Sequence, residues 1–160
     1  MYATRIDLAP RIREVSIAAL QAQLSSSVDL FTQVKQAHWN VKGPTFIALH
    51  ELFDSVAEII EEQSDLIAER ITALGGRADG TVRVAAASST LVEYPLALTA
   101  GPDHVAAVAD RLASYGKAAR ANIDRATEFE DADTADLFTE ISRAIDKQLW
   151  FVEAHLQAER

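Results

Sequence analysis

Five side chains, His38, His50, Asp54, Asp65 and Glu69, have the types and spacing that suit metal chemistry. His50 and Asp54 are four residues apart, as are Asp65 and Glu69. On a helix each pair lies one turn apart and can point two ligands at one ion. At about 100° per residue, these four fall within an arc of roughly 100° beside an apolar seam. Asp54 and Asp65 are nevertheless about 16 Å apart along the axis, at about 1.5 Å per residue, too far for one small ion. Taken singly, each residue has an ordinary reading. An acidic pair four apart is usually a solvated helix face, as Glu58, Glu61 and Glu62 are expected to be, and a lone histidine is a core or capping residue. The set of five points to a metal. Mixed imidazole and carboxylate ligands suit ferrous iron, zinc or manganese, and ligand type alone does not choose among them.

The elements that must position these residues follow from helical periodicity. The first predicted helix begins near Pro10 and runs to about Asn40, before Gly43-Pro44. Ile17, Leu20, Leu24, Val28, Phe31 and Val34 recur along it at three- and four-residue steps, and His38 continues the stripe inward. The second runs from about Pro44 to Leu74 and stops at Gly75-Gly76. Its seam is Phe46, Leu49, Phe53, Val56, Ile60, Ile67, Ile71 and Leu74. Residues 76–100 are too long for a hairpin connection, and SSTLVEYPL within them is expected to form a short helix stopped at Pro95. A crossover of that length lets the flanking helices run parallel, the arrangement of ferritin-like bundles with one long connection. A third long helix is expected from Gly101-Pro102-Asp103 to about Phe129. The fourth is expected from an Asp133 N-cap to about Gln157, lined by Ile141, Ile145, Leu149 and Val152.

His38 precedes the first turn and His50 follows it, so antiparallel packing brings His38 toward His50 and Asp54. If two copies of the second helix cross about a two-fold axis, Asp65 and Glu69 of one copy meet the three residues of the other, giving two equivalent sites.

Composition bounds the rest. A chain of 160 residues, 49% hydrophobic, suits one domain over residues 1–160. With no Cys it needs no disulfide, and a cytoplasmic location fits. The N-terminus does not read as a secretion signal, and no stretch approaches membrane-spanning length. The net charge of −9 repels phosphate backbones on average and attracts cations.

The segment QAHWNVKGPTFIALHELFDSVAEIIEEQSDLIAERITALGG resembles the signature region of the Dps proteins, the DNA-protection-during-starvation family, and DADTADLFTEISRAIDKQLWFVEAHL resembles the same family's last helix. The resemblance spans essentially the whole chain. It implies an all-α ferritin-like four-helix bundle with a short extra helix in the long crossover. It also implies a homododecameric cage, built through two-fold dimers, that binds ferrous iron, oxidises it preferably with hydrogen peroxide and stores ferric mineral. His38, His50, Asp54, Asp65 and Glu69 match the family's intersubunit ferroxidase pattern, with iron as the metal and zinc as a competitor. Trp39 matches a residue near that centre, and Asp131, Asp136 and Glu140 resemble the three-fold pore region. Asp136 would also be favoured simply as an acid near a helix N-terminus.

Trp150 reads as a packing aromatic, and His104 and His155 as structural or exposed. DNA-binding members of the family commonly carry a Lys-rich terminal tail. This chain offers Arg5, Arg11 and Arg13 at one end, and LQAER adds little at the other, so DNA binding is expected to be weak or absent. The competing readings are a nucleoid-associated DNA-binding protein with secondary iron chemistry and a single-chain di-iron oxidase. The second usually draws Glu-x-x-His from two helices, a pattern this sequence lacks.

Overall fold

The architecture is that of a computed structural model, which describes residues 1–157. The last three residues of LQAER lie outside the described residues. Four long helices and one short one follow in order: α1 (Pro10–Asn40), α2 (Phe46–Ala73), α3 (Val82–Ser88), α4 (Gly101–Glu128) and α5 (Ala132–Glu153). No named strand occurs among the described residues, which are all-α.

Proline stands in the first turn of both α1 and α4, where its missing N–H has no helical partner to lose. The α2 terminus closes on Gly75, whose φ of 85° is the left-handed value that ends a helix readily only with glycine. A Cβ there would lie 2.5 Å from the Tyr2 carbonyl oxygen, and the Tyr2 amide donates to the Gly75 carbonyl at 2.7 Å. The N-terminal strand of chain is thereby tied across the end of α2.

Consecutive hairpins α1–α2 and α4–α5 pack side by side. Just beyond the end of α1, Lys42 bridges to Ala100 just before α4, so α1 and α4 run antiparallel. Because α2 also returns antiparallel to α1, α2 and α4 are parallel, as the long crossover predicts. Leu20, Phe53, Ile60, Ile67, Ile71, Leu112, Phe138, Ile141 and Ile145 are fully buried in one hydrophobic cluster. Phe46 departs from the predicted seam: it opens α2 and remains exposed.

Three consecutive serines inside α1 show how polar residues are accommodated in a buried helix. Ser25 donates to the Gln21 carbonyl, Ser26 meets Thr90, and Ser27 lies 2.7 Å from Ser64 on α2. Small side chains with local or facing partners let two helices approach without leaving a buried hydroxyl unpaired.

The crossover helix differs from the expected one. It is Val82–Ser88, begun by the Thr81 hydroxyl accepting from the Val84 amide, whereas residues after Ser89 are not helical up to α4. That stretch gives its backbone groups to side chains of the bundle. Gln33 donates to the Val92 carbonyl, and Arg111 donates to the Glu93 carbonyl. Ser89 donates to Asp29. The Val92 and Glu93 carbonyls are thereby paired without a helix.

Three further corrections concern α5. Its N-cap is Asp131 and not Asp133, and it ends at Glu153 instead of Gln157. Trp150, expected to pack in the core, is 61% exposed, although Ile141, Ile145 and Val152 of the same helix are buried. No described helix is long and apolar enough to cross a membrane.

Candidate metal centre

His38 lies in the last turn of α1 and His50 in the second turn of α2, and the tight connection between them folds the two imidazoles together. The rings stack with centroids 3.7 Å apart. Their hydrogen bonds are reciprocal: Nδ1 of His38 donates to the His50 carbonyl at 2.8 Å, and Nδ1 of His50 donates to the His38 carbonyl at 2.9 Å. A carbonyl only accepts, so both Nδ1 atoms carry the proton and both neutral rings keep their lone pair on Nε2. Two potential metal-binding nitrogens are thus fixed in tautomer and orientation by backbone alone.

Asp54, one turn beyond His50, completes this half. Its carboxylate lies 3.9 Å from His38 Nδ1. Lys35, one turn before His38 on α1, reaches the same carboxylate at 2.5 Å. That hydrogen bond, with the charge of Lys35, holds the Asp54 carboxyl below its usual range against the opposing effect of burial. An incoming cation therefore competes with an ammonium already seated on its oxygen ligand. Sequence reasoning missed Lys35, although its position three residues before His38 places it on the same helical face.

Asp65 and Glu69 lie about three and four turns beyond Asp54 along α2, both exposed and away from His38, His50 and Asp54. Among the described residues, no group of three His, Cys, Asp or Glu side chains is placed to hold an ion. The chain presents two separated groups: His38 of α1 beside His50 and Asp54 near the start of α2, and Asp65 with Glu69 further along α2.

Trp39 follows His38, but its indole is 66% exposed and lines an open cavity with Gln36, Leu91 and Tyr94. The three acids near the start of α5 do not form one set. Asp136 and Glu140, four apart, are exposed on one face. Asp131 is 1% exposed and fully engaged. It accepts from Ser16 at 2.6 Å, from the Thr134 hydroxyl and amide, and from Arg70 at 2.8 Å. Burial alone would raise its pKa, but these hydrogen bonds and the Arg70 charge outweigh burial and hold it below the ordinary carboxyl value. Its carboxylate joins α1, α2 and α5.

His104 is structural: it is 1% exposed and lies 2.7 Å from the Tyr94 hydroxyl. His155 is exposed. Of the N-terminal arginines, Arg5 and Arg11 are exposed, whereas Arg13 donates to the Leu74 carbonyl.

Comparison with known proteins bears on the family and the fold. The ferritin-like domain model matches residues 17–160. A DNA protection during starvation protein of Agrobacterium fabrum is 40% identical over 156 residues, covering 98% of this chain and 96% of its own. Another of that name, from Mycolicibacterium smegmatis, is 34% identical, covering 87% of this chain and 75% of its own. Among solved structures, a Mycobacterium smegmatis Dps superposes with a TM-score of 0.92 at 30% identity, covering 99% of this chain and 95% of its own. Dps from Microbacterium arborescens in a high iron form superposes with a TM-score of 0.89 at 34% identity, covering 98% of this chain and 100% of its own. A ferritin-like domain over most of the chain, with the Agrobacterium fabrum protein covered nearly end to end, means that this chain belongs to the ferritin-like Dps family.

Proposed function

We propose that this protein oxidises ferrous iron, preferably with hydrogen peroxide, at sites shared between two copies of the chain, and stores the ferric product inside a homododecameric cage. The observation that carries this reading is the reciprocal His38–His50 lock, which leaves the Nε2 lone pair of each ring free of the hydrogen bonds that hold it. Neutral imidazoles suit the ferrous substrate, and carboxylates suit the ferric product. Asp65 and Glu69, exposed on the same helix, supply the missing carboxylates when a second α2 crosses it about a two-fold axis. Two irons bound close together give two electrons to one peroxide, which with two protons leaves as water and releases no one-electron oxidant.

Exposed Ile47 falls within the arc of the candidate ligands on α2, with exposed Phe46 and Leu66 flanking that arc on either side, and large apolar side chains there favour such pairing because they are covered when copies assemble. Asp136 and Glu140 are proposed to line the iron entry route, where acids raise the arrival rate of cations. Protection of DNA, named in the relatives, is assigned here to removal of iron and peroxide, with direct DNA contact weak or absent. The net charge of −9 opposes contact, and Arg13 and Arg77 are engaged with Leu74 and Asp79. A cytoplasmic location accords with this role.

The test is anaerobic loading with ferrous iron followed by peroxide or air, recording ferric absorbance and solubility. Fast oxidation by peroxide, slower oxidation by air and a soluble product are expected. A His50→Ala, Asp54→Asn double variant should assemble and oxidise iron at least tenfold more slowly, about 1.4 kcal/mol in barrier. Oxidation no faster than in buffer for the unaltered protein, with precipitated iron, would reject the function. An unchanged rate in the variant would reject the site.

A further inference from the structure

From Ser89 to Tyr94 the crossover between α3 and α4 meets the bundle through side-chain hydrogen bonds. Ser89 donates to Asp29, the Thr90 amide to Ser26, Gln33 to the Val92 carbonyl and Arg111 to the Glu93 carbonyl. Of these six crossover residues Tyr94 alone is buried, and its hydroxyl lies 2.7 Å from Nδ1 of His104, itself buried in the first turn of α4. The direction of that bond follows from counting. If Tyr94 donates, only Nε2–H of His104 lacks a partner; if His104 donates, both the phenolic hydrogen and the Nε2 lone pair are left unpaired. Tyr94 therefore donates, and His104 is neutral.

Protonation of His104 takes away the lone pair that holds Tyr94, strands the phenolic hydrogen and places a charge in a buried site. The charged groups around the pair lie on three elements. On α4, Asp103 precedes His104 and favours its charged form, whereas Arg111 lies over the Tyr94 ring, 5.6 Å from its centroid, and adds positive charge beside it. Glu93 of the crossover and Lys42 at the end of α1 are exposed, and Gln33 of α1 is neutral. α2 meets this end of α4 through Thr45 and Leu49, which do not titrate. Burial outweighs Asp103 and the Leu98 backbone and holds the His104 pKa below the ordinary histidine value.

We propose that Tyr94 and His104 form an acid-released latch, in which protonation of His104 frees Tyr94 and lets residues 89–98 lift from α1 and α4. That segment walls the cavity that Trp39 also lines, so its release opens the outer side of α1 next to His38. The latch does not depend on iron oxidation. Its sign is definite. With the segment lifted, His104 has the ordinary pKa of 6.5, and with it closed a lower one. The closed form is therefore fully favoured above that ordinary value and loses ground as pH falls from it toward the closed-state value.

Hydrogen exchange of the iron-free assembled protein tests this at about pH 7.5 and about pH 5, on either side of the ordinary histidine pKa, with each rate corrected for intrinsic amide exchange. Peptides covering residues 89–98 should exchange at least about fivefold faster at the lower pH, with the long helices unchanged. His104→Gln accepts a hydrogen bond but takes no proton, and should exchange equally at both. Tyr94→Phe should exchange fast at both, and decides the matter if the glutamine variant fails to assemble. Asp29→Asn alters the segment's other acid-sensitive contact and should keep the response. Equal exchange at the two pH values in the unaltered protein, an acid response that survives Tyr94→Phe, one lost in Asp29→Asn, or a rise spread over all the helices would overturn the proposal.

Discussion

Replacing Asp131 by alanine separates a structural role from a role in iron entry. The carboxylate caps α5 through the Thr134 amide, a contribution of about 1 kcal/mol. Its loss also leaves Arg70, whose side chain is only 14% exposed, without its buried partner. Breaking a fully buried pair costs about 3–5 kcal/mol, which we reduce to about 2 kcal/mol because Asp133 remains 3.6 Å from Arg70 and offers a solvated alternative. The sum is about 3 kcal/mol. At roughly 2–4 °C per kcal/mol for a chain of this size, the thermal midpoint should fall by about 6–12 °C, measured by circular dichroism at neutral pH. The pH dependence has a definite sign. The folded-state pKa of Asp131 is depressed, so its contribution is complete above the ordinary carboxyl pKa of about 4 and is lost as pH falls through the folded value. The difference between the two proteins should therefore shrink in acid below about pH 4. An unchanged midpoint together with slowed iron uptake would refute the structural assignment and return Asp131 to the entry route.

Other perturbations probe the remaining assignments. Lys35→Met removes the ammonium seated on Asp54 while keeping the apolar stem, so zinc or cobalt should bind several-fold more tightly by calorimetry; unchanged or weaker binding would contradict competition at that oxygen. Asp136→Asn with Glu140→Gln should slow iron uptake at low salt and lose most of that effect at high salt, leaving the melting midpoint nearly unchanged. Gly75→Ala places a side chain at φ 85° and against the Tyr2 backbone, and should cost about 1–2 kcal/mol in urea denaturation, with the N-terminal residues becoming more accessible to protease.

The long helices were legible because periodicity and punctuation agreed. Pro10, Gly75 and Pro102 mark ends that the structure places within a few residues. The crossover helix was less legible, because SSTLVEYPL has partners for its backbone groups on α1 and α4 that no local pattern announces. Trp150 follows the same limit: helical phase marks a face, but neighbouring elements determine whether the end of that face is covered.

By itself, the sequence determined the ligand types, the helical register that puts His50, Asp54, Asp65 and Glu69 on one flank, and the separation that prevents one chain from gathering all five candidate ligands. These are consequences of residue identity and a regular helix rise. Tertiary structure decided which lone pairs the imidazoles present, since only the antiparallel return of α2 brings each Nδ1 to the other histidine's carbonyl. It also seated Lys35 on Asp54 and drew Asp131 into contact with Ser16 and Arg70. The physical reason is that hydrogen bonds and desolvation depend on groups distant in sequence: 115 residues separate Ser16 from Asp131, and no local pattern fixes which polar groups a buried carboxylate will find.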